Sequence, residues 1–226
     1  MKKRTTMLAL LLATGAGTCL QAQEKLTQFK VRDAITVRTP IMNDSINPKG
    51  EKYADKDLLK TPVVLDLADA PFQVLSTDTA GVLSFPKAEK DHSIYLLETS
   101  LRAERFMTGK LKVTSPARWE IFINGESKMS KENAEDSISG ASTREVNLRL
   151  EPEADYEITI KLLSGSKDKA VPTLKCELIK DDKFKDITCF VSPEQKKRFA
   201  LPNTVYGNRV IGVSISPDGK YLLTRY

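Results

Sequence analysis

The chain has 226 residues, and its 35 lysines and arginines outnumber its 30 aspartates and glutamates, which gives a formal charge of +5. Three of the basic residues lie at positions 2–4, so residues 23–226 hold 32 basic and 30 acidic side chains, a charge of +2. So small a charge does not predict the basic surface that nucleic-acid binding requires. The basic run 196–198 is interpreted as solvated surface.

The first 22 residues are typical of a secretory signal peptide. The basic residues at 2–4 precede a short apolar run from Met7 to Leu12 and a small-residue stretch through Gly17, and Ala22 ends a suitable cleavage site. We therefore predict cleavage after Ala22 and export to the periplasm or the extracellular space.

A lipid anchor on Cys19 is the alternative to soluble export. The preceding residue, Thr18, is larger than lipoprotein signals usually carry, which favours soluble export. The apolar run is also shorter than the roughly 20 residues that a membrane-spanning helix needs, and no later segment approaches that length. We therefore predict no membrane span.

Residues 23–60 are predicted to form an irregular amino-terminal arm. Residues 28–37 are compatible with a strand, but prolines, asparagines and a glycine follow between positions 40 and 50, which is typical of turns. Residues 49–60 are dense in charge, and we expect them to be exposed.

Residues 61–191 are predicted to form a β-sandwich, so the fold class is all-β. Apolar and polar residues alternate with a period of two, the pattern of a strand with one buried face. Many short strands at close spacing without a long helix are typical of a sandwich or jelly roll. The strand segments are 62–67, 72–75, 82–85, 94–97, 111–114, 119–123, 146–150, 156–162 and 174–178.

Trp119 has two interpretations. It shares a face with Ile121 and Ile123, which favours a place in the core, whereas an exposed ring could stack on a sugar ligand. The dipeptide Asn124-Gly125 after this strand predicts a two-residue hairpin turn, because both positions tolerate positive φ. The polar residues 130–143 predict a solvent-exposed loop.

Cys176 and Cys189 lie in predicted strands and face inward with their apolar neighbours. In an oxidising compartment they could form a disulfide, and otherwise they are buried free thiols. Two cysteines in a chain of this size do not make a disulfide scaffold.

Residues 192–226 are predicted to form a connector and an incomplete propeller hairpin. Strands at 210–215 and 221–226 flank a turn in which proline presets the first central position, aspartate suits the second, and glycine absorbs the strained exit. The turn residues are Ser216, Pro217, Asp218, Gly219 and Lys220.

The segment from Val213 to Leu223 resembles the strand-turn-strand of a propeller blade in TolB-like and prolyl-oligopeptidase-like proteins. Residues 197–210 are similar to the segment before the propeller of exported dipeptidyl-peptidase-IV-like serine peptidases of Bacteroidetes-type bacteria, and 111–125 to the sandwich preceding it. The resemblance covers 90–226 and implies the amino-terminal region of such a peptidase, truncated at the start of the propeller. A propeller needs about four to eight blades, and the blade motif occurs once here.

The sequence offers little for catalysis. A serine peptidase uses a histidine to activate its nucleophile, and His92 is the single histidine of the chain. Neighbours on a strand point to opposite faces, so Asp91 and Ser93 do not complete a triad with it. No Gly-x-Ser-x-Gly elbow, zinc-ligand spacing or phosphate loop is present. We therefore predict no catalytic residue, no metal and no cofactor for this chain.

Two functions fit these features. The first is a non-catalytic accessory module of an exported serine peptidase acting on peptides, whose partners are the propeller and catalytic domains of its own chain. The alternative is a free-standing secreted β-sandwich that binds carbohydrate or a surface partner. The apolar hairpin strands would leave unpaired edges if nothing followed them, which favours the module.

Overall fold

The computed structural model describes residues 23–37, 46, 50–52, 54–60, 72–152, 154–193 and 212–225. It divides into two units, Met1–Pro193 and Glu194–Tyr226. The predicted signal peptide, the predicted strand at 62–67 and the basic run 196–198 lie outside the described residues.

Within the residues that the structure describes, the first unit consists of strands, one short α-helix and a 3-10 turn. Its elements are β1 (Gln23–Lys25), β2 (Gln28–Arg32), β3 (Ile35–Val37), α1 (Asp55–Leu59), β4 (Phe72–Ser76), β5 (Val82–Ser84), β6 (His92–Ala103), β7 (Met107–Thr114), β8 (Arg118–Ile123), β9 (Glu126–Lys131), β10 (Thr143–Leu150), β11 (Asp155–Gly165), β12 (Thr173–Lys180), the 3-10 turn (Asp182–Phe184) and β13 (Cys189–Ser192). The second unit contains the hairpin β14 (Gly212–Ile215) and β15 (Leu222–Arg225).

The strands of the first unit form two antiparallel sheets. In the first sheet, β10, β7 and β12 lie side by side, and β1 and β5 both pair with β12. The second sheet runs in the order β9, β8, β11, β6, β2 and β4, and β3 and β13 also pair with β6. Side chains from both sheets form one core. The predicted all-β sandwich is confirmed.

The core follows the period-two alternation of the sequence. On β7, Leu111 and Val113 are buried against the second sheet while Lys110 and Lys112 face outward. Burial of each such aliphatic side chain stabilises the fold by about 1.5–3 kcal/mol. Gly109 lets β7 approach β12 closely, because a Cβ at this position would lie 2.5 Å from the carbonyl oxygen of Ile179.

The amino-terminal segment differs from the irregular arm that the sequence predicted. β1 pairs with β12 of the first sheet, and β2 and β3 pair with β6 of the second. The reason is hydrophobic burial, because Leu26, Phe29 and Val31 are almost fully enclosed in the core between the sheets. The sandwich therefore includes strands that lie well before residue 61, the predicted start of the domain.

The helix α1 covers part of the outer face of the second sheet. Leu58 and Leu59 form a second apolar cluster with Ile94, Leu96 and Leu163. The expectation that residues 49–60 are exposed is therefore wrong for these two leucines, because their packing across the sheet outweighs the charge of their sequence neighbours. Within the described part of the chain, no helix has the length and apolarity to cross a bilayer.

The predicted loop at 130–143 begins within β9 and is fastened to the sandwich by a buried lysine. Lys131 Nζ donates hydrogen bonds to the carbonyl oxygen of Ser115 at 2.6 Å and to Glu135 Oε2 at 2.8 Å. Glu135 Oε2 also accepts a hydrogen bond from the backbone N–H of Ser142 at 2.8 Å. The loop is thus folded back on itself around one carboxylate.

Neutralising Glu135 is expected to loosen this loop. Burial disfavours its charge, but the hydrogen bonds from Lys131 and Ser142 outweigh burial and hold the pKa of Glu135 below its ordinary value of 4.5. The anchor therefore stabilises the fold above pH 4.5 and is lost as the pH falls through the lowered pKa. In Glu135→Gln at neutral pH, hydrogen exchange of the Ser142 amide should accelerate about fivefold to tenfold. This factor corresponds to a decrease of roughly 1 kcal/mol in the free energy of opening the loop.

Glu132→Gln is the matched control for that exchange measurement. Glu132 lies in the same loop, but its ion pair with Lys60 is exposed and 3.6 Å long. Its loss is expected to change exchange little. Equal acceleration in both variants would show that loop charge in general, rather than the Glu135 anchor, holds the loop.

Candidate functional site

A cleft opens between the two sheets where β9 and β10 form neighbouring sheet edges. The two strands do not pair with each other within the described structure, so the sheets leave a gap between them. The gap has a volume of about 320 Å³, within the range of roughly 300–1,000 Å³ for small-ligand sites. Its lining residues are Ile123, Asn124, Glu126, Lys128, Asn147, Leu148, Arg149 and Tyr156.

The apolar wall of the cleft is the outermost layer of the sandwich core. Ile123 from β8 and Leu148 from β10 are buried, and both belong to the core cluster. The half-buried ring of Tyr156 packs against the same cluster. Its hydroxyl oxygen accepts a hydrogen bond of 2.9 Å from the backbone N–H of Glu151, which fixes the ring position.

The predicted Asn124-Gly125 hairpin turn forms one end of the cleft. Its residues have φ values of 51° and 77°, as the tight hairpin requires. Asn124 is held by Glu157, because its backbone N–H donates to the Glu157 carbonyl and its Oδ1 accepts from the Glu157 N–H, both at 2.8 Å. Among the described residues, neither the Nδ2 of Asn124 nor the exposed Asn147 amide on β10 has a hydrogen-bond partner.

A β-bulge determines the position of Lys128 in the cleft wall. Ile121 pairs with Met129 and Phe122 with Ser127, so Lys128 is an extra residue without a cross-strand partner. Bulges bend the strand and redirect a side chain away from the regular alternation. Lys128 could not be predicted as a cleft residue from the sequence, because no residue type in β9 marks the register shift.

Each cation of the cleft wall has a carboxylate partner. Lys128 Nζ lies 2.7 Å from Glu126 Oε2. Arg149 Nε lies 3.0 Å from Glu151 Oε1, and its guanidinium carbon lies 5.2 Å from the ring centroid of Phe106. The cleft thus presents amides, an aromatic ring and locally neutralised charges to a ligand.

Trp119 does not reach any surface. Its exposed fraction is 0%, and it belongs to the core between the sheets. The interpretation as a sugar-stacking residue is therefore wrong, and core packing with Ile121 and Ile123 is confirmed. Its buried Nε1 has no hydrogen-bond partner within the described structure.

The five residues of the predicted propeller turn lie between β14 and β15. Strand pairing brings Ile215 opposite Leu222, and the N–H of Ser216 donates to the carbonyl of Tyr221 at 2.9 Å. The Asp218 carboxylate accepts from the hydroxyl of Ser216 and from the N–H of Lys220. Gly219 has a φ of 69° and closes the turn. The predicted hairpin is therefore present, and its membership of a propeller blade stays a prediction.

His92 begins β6 in a cluster of charged residues beneath α1. Its Nε2 lies 3.2 Å from Asp55 Oδ1, while Arg118 donates to Asp55 at 2.7 Å and to both carboxylate oxygens of Asp168 at 2.9 Å. Asp168 also accepts a hydrogen bond from the N–H of Gly165 at 2.7 Å. These contacts fasten the first turn of α1 to the outer face of the second sheet.

Cys176 and Cys189 are buried free thiols, so the disulfide alternative is wrong for this structure. The Sγ of Cys189 lies 3.2 Å from the Sδ of Met107. Burial raises the pKa of both thiols, which keeps them protonated near neutral pH. Within the described residues, no group of three or more His, Cys, Asp or Glu side chains is placed to hold a metal ion.

No protein-family model and no curated protein matches the chain. A β-glucosidase from Kluyveromyces marxianus in complex with glucose matches over 52% of this chain and 15% of its own, with 15% identity and a TM-score of 0.38. The PA14 domain of the MpAFP antifreeze protein matches over 84% of this chain and 96% of its own, with 9% identity and a TM-score of 0.37.

The PA14 sugar-binding domain from an RTX adhesin matches over 45% of this chain, with 17% identity and a TM-score of 0.31. The chain covers 52% of that domain and only 15% of the β-glucosidase. With TM-scores of 0.31 to 0.38, these similarities establish neither a family nor a function for this chain.

Proposed function

We propose that the chain is a non-catalytic β-sandwich domain that binds carbohydrate in the cleft between β9 and β10. The observation that carries this proposal is the composition of the cleft, in which amides and a tyrosine ring surround an apolar wall while neighbouring charges are paired. Carbohydrate binding belongs to the second of the two functions that the sequence suggested, the secreted β-sandwich that binds carbohydrate or a surface partner.

The chemistry of a sugar matches this composition. A pyranose presents hydroxyl groups around its edge and C–H groups on its faces, so it needs hydrogen-bond donors and acceptors beside an apolar surface. The exposed side chain of Asn147 offers two donors and one acceptor oxygen. The ring of Tyr156, fixed by its hydrogen bond from Glu151, supplies an aromatic surface next to Leu148.

The peptidase module stays a prediction. The matched glycosidase and PA14 structures agree better with a carbohydrate-binding domain, although they are too distant to carry the assignment. Export, the absence of catalytic residues and the link to a propeller likewise stay predictions from the sequence.

Replacing Asn147 with alanine is expected to weaken glycan binding about fivefold to tenfold. The amide is exposed on β10 and has no partner among the described residues, so its loss removes ligand contacts without disturbing the sheet. One lost hydrogen bond corresponds to about 1 kcal/mol. The measurement is a screen of the full chain against immobilised oligosaccharides, followed by calorimetric titration of the best binder with both proteins.

Gln73→Ala is the matched control for Asn147→Ala. Gln73 is an exposed amide on β4, the opposite edge strand of the second sheet, so the same chemical change falls far from the cleft. Affinity should be unchanged in this variant. Equal weakening in both variants would contradict the cleft as the binding site, and the absence of any glycan ligand in the screen would contradict carbohydrate binding itself.

A further inference from the structure

We infer that the cleft selects uncharged glycans and that Glu126 is the residue that sets this preference. The inference rests on the proposed function and adds the ligand class and a specificity-determining residue. It follows from the way in which the cations of the cleft are placed and paired.

Lys128 is the cation that an acidic sugar would meet first. The bulge in β9 leaves it without a cross-strand neighbour and places it in the cleft wall. About two thirds of its side chain is covered, since 36% is exposed. A lysine held in this way beside a binding cleft would ordinarily attract carboxylate or sulfate groups.

Glu126 removes that attraction. It lies directly opposite Ile123 in the strand register, so it shares the inner face of the sheet with a core residue and stands at the mouth of the cleft. Its Oε2 lies 2.7 Å from Lys128 Nζ. An acidic ligand would have to displace this carboxylate and would be repelled by it, whereas a neutral hydroxyl group would hydrogen-bond to either member of the pair.

The charge of Arg149 is paired as well. Its Nε is bonded to Glu151 at 3.0 Å, and its guanidinium lies over the ring of Phe106. The cleft and its rim therefore hold two cations and two carboxylates in contact, and the local field favours no ligand charge. Specificity then comes from the amides and the tyrosine ring, which suit a polyhydroxylated, uncharged ligand.

The test compares wild-type protein with Glu126→Gln, using neutral oligosaccharides and galacturonic-acid oligomers of the same length. Wild-type protein should bind the neutral series more tightly, with little change between low and high salt. Glu126→Gln frees Lys128, so affinity for the acidic oligomer should rise about threefold to fivefold at low salt and fall again as salt screens the charge. Affinity for the neutral ligand should be unchanged.

Glu89→Gln is the control for net charge. Glu89 is exposed and lies outside the cleft, so its neutralisation changes the charge of the chain equally. An equal gain for the acidic oligomer in this variant would overturn the role of Glu126. Tighter binding of the acidic series by wild-type protein would overturn the inference while leaving carbohydrate binding intact. Failure of every neutral and acidic oligomer to bind would overturn the proposed function, and the inference with it.

Discussion

Replacement of Trp119 with alanine is expected to lower the free energy of unfolding by about 3–5 kcal/mol, the usual cost of emptying a large aromatic site in a core. Trp119 is fully buried and belongs to the cluster that joins the two sheets. It pairs with Leu162 on one side and Lys131 on the other, so β8 is held between two neighbouring strands. Urea denaturation followed by circular dichroism measures the loss.

Trp119→Phe is the control that separates volume from polarity. Phenylalanine keeps most of the aromatic volume and removes the buried indole N–H, which has no partner within the described residues. This variant should therefore lose much less stability than the alanine variant, because loss of the unsatisfied donor offsets part of the lost packing. Similar losses in both would indicate that the indole N–H makes a required hydrogen bond. Glycan affinity of the folded phenylalanine variant should equal that of wild type.

Replacement of Arg118 with methionine is expected to cost about 2–3 kcal/mol of stability. The side chains of Arg118 and Asp168 are each only 12% exposed, and the arginine contacts both carboxylate oxygens. Removing one partner of a fully buried pair costs roughly 3–5 kcal/mol, because the other charge is left uncompensated. The loss expected for Arg118→Met is smaller than this, because Asp55, the second partner of Arg118, is 44% exposed. The same denaturation experiment measures it, and amide exchange in α1 should accelerate with it.

Arg149→Met is the matched comparison for Arg118→Met. Arg149 also contacts a glutamate, but its side chain is 72% exposed, and such a surface pair contributes about 0–1 kcal/mol. Equal stability losses in the two variants would contradict the view that the charged cluster beneath α1 fastens the helix to the sheet.

The strands of the sandwich are the part of the fold that the sequence predicts best. In β7, β8 and β10, buried residues alternate with more exposed ones, and a strand buried on one face requires this period. The Asn124-Gly125 turn is equally local, since two adjacent residues determine it. Such features need no knowledge of distant segments.

Features that depend on distant partners were predicted less well: the sequence is compatible with a strand within residues 28–37, whereas β1 and the helix α1 were not predicted. β1 and β2 are short and flanked by turn-rich sequence, and they form because Leu26, Phe29 and Val31 complete a core built mainly from later strands. The helix α1 is likewise stabilised by leucines that meet the outer face of β6 and β11. In both cases tertiary burial outweighs local propensity, as it commonly does for short elements.

The candidate site was predicted only in part. The turn at Asn124 was identified, but the cleft itself arises because β9 and β10 end their sheets side by side, which depends on sheet order. Trp119 was considered as a sugar-stacking residue because it is a large aromatic residue. Tyr156, the aromatic residue of the cleft, was not singled out, because it alternates with its neighbours as an ordinary strand residue does. Sequence periodicity distinguishes inward from outward positions but not the centre of a sheet from its edge.

Because of the bulge at Lys128, the side chain at this position of the cleft can change without disturbing the pairing of the sheet. A residue in a regular ladder is constrained by the side chain opposite, and its replacement usually requires compensation across the strand pair. Lys128 has no such neighbour, so acidic, aromatic or small side chains can replace it while the register of β8 and β9 is preserved. Related sequences are therefore expected to diversify in ligand preference at this position long before they diverge in architecture.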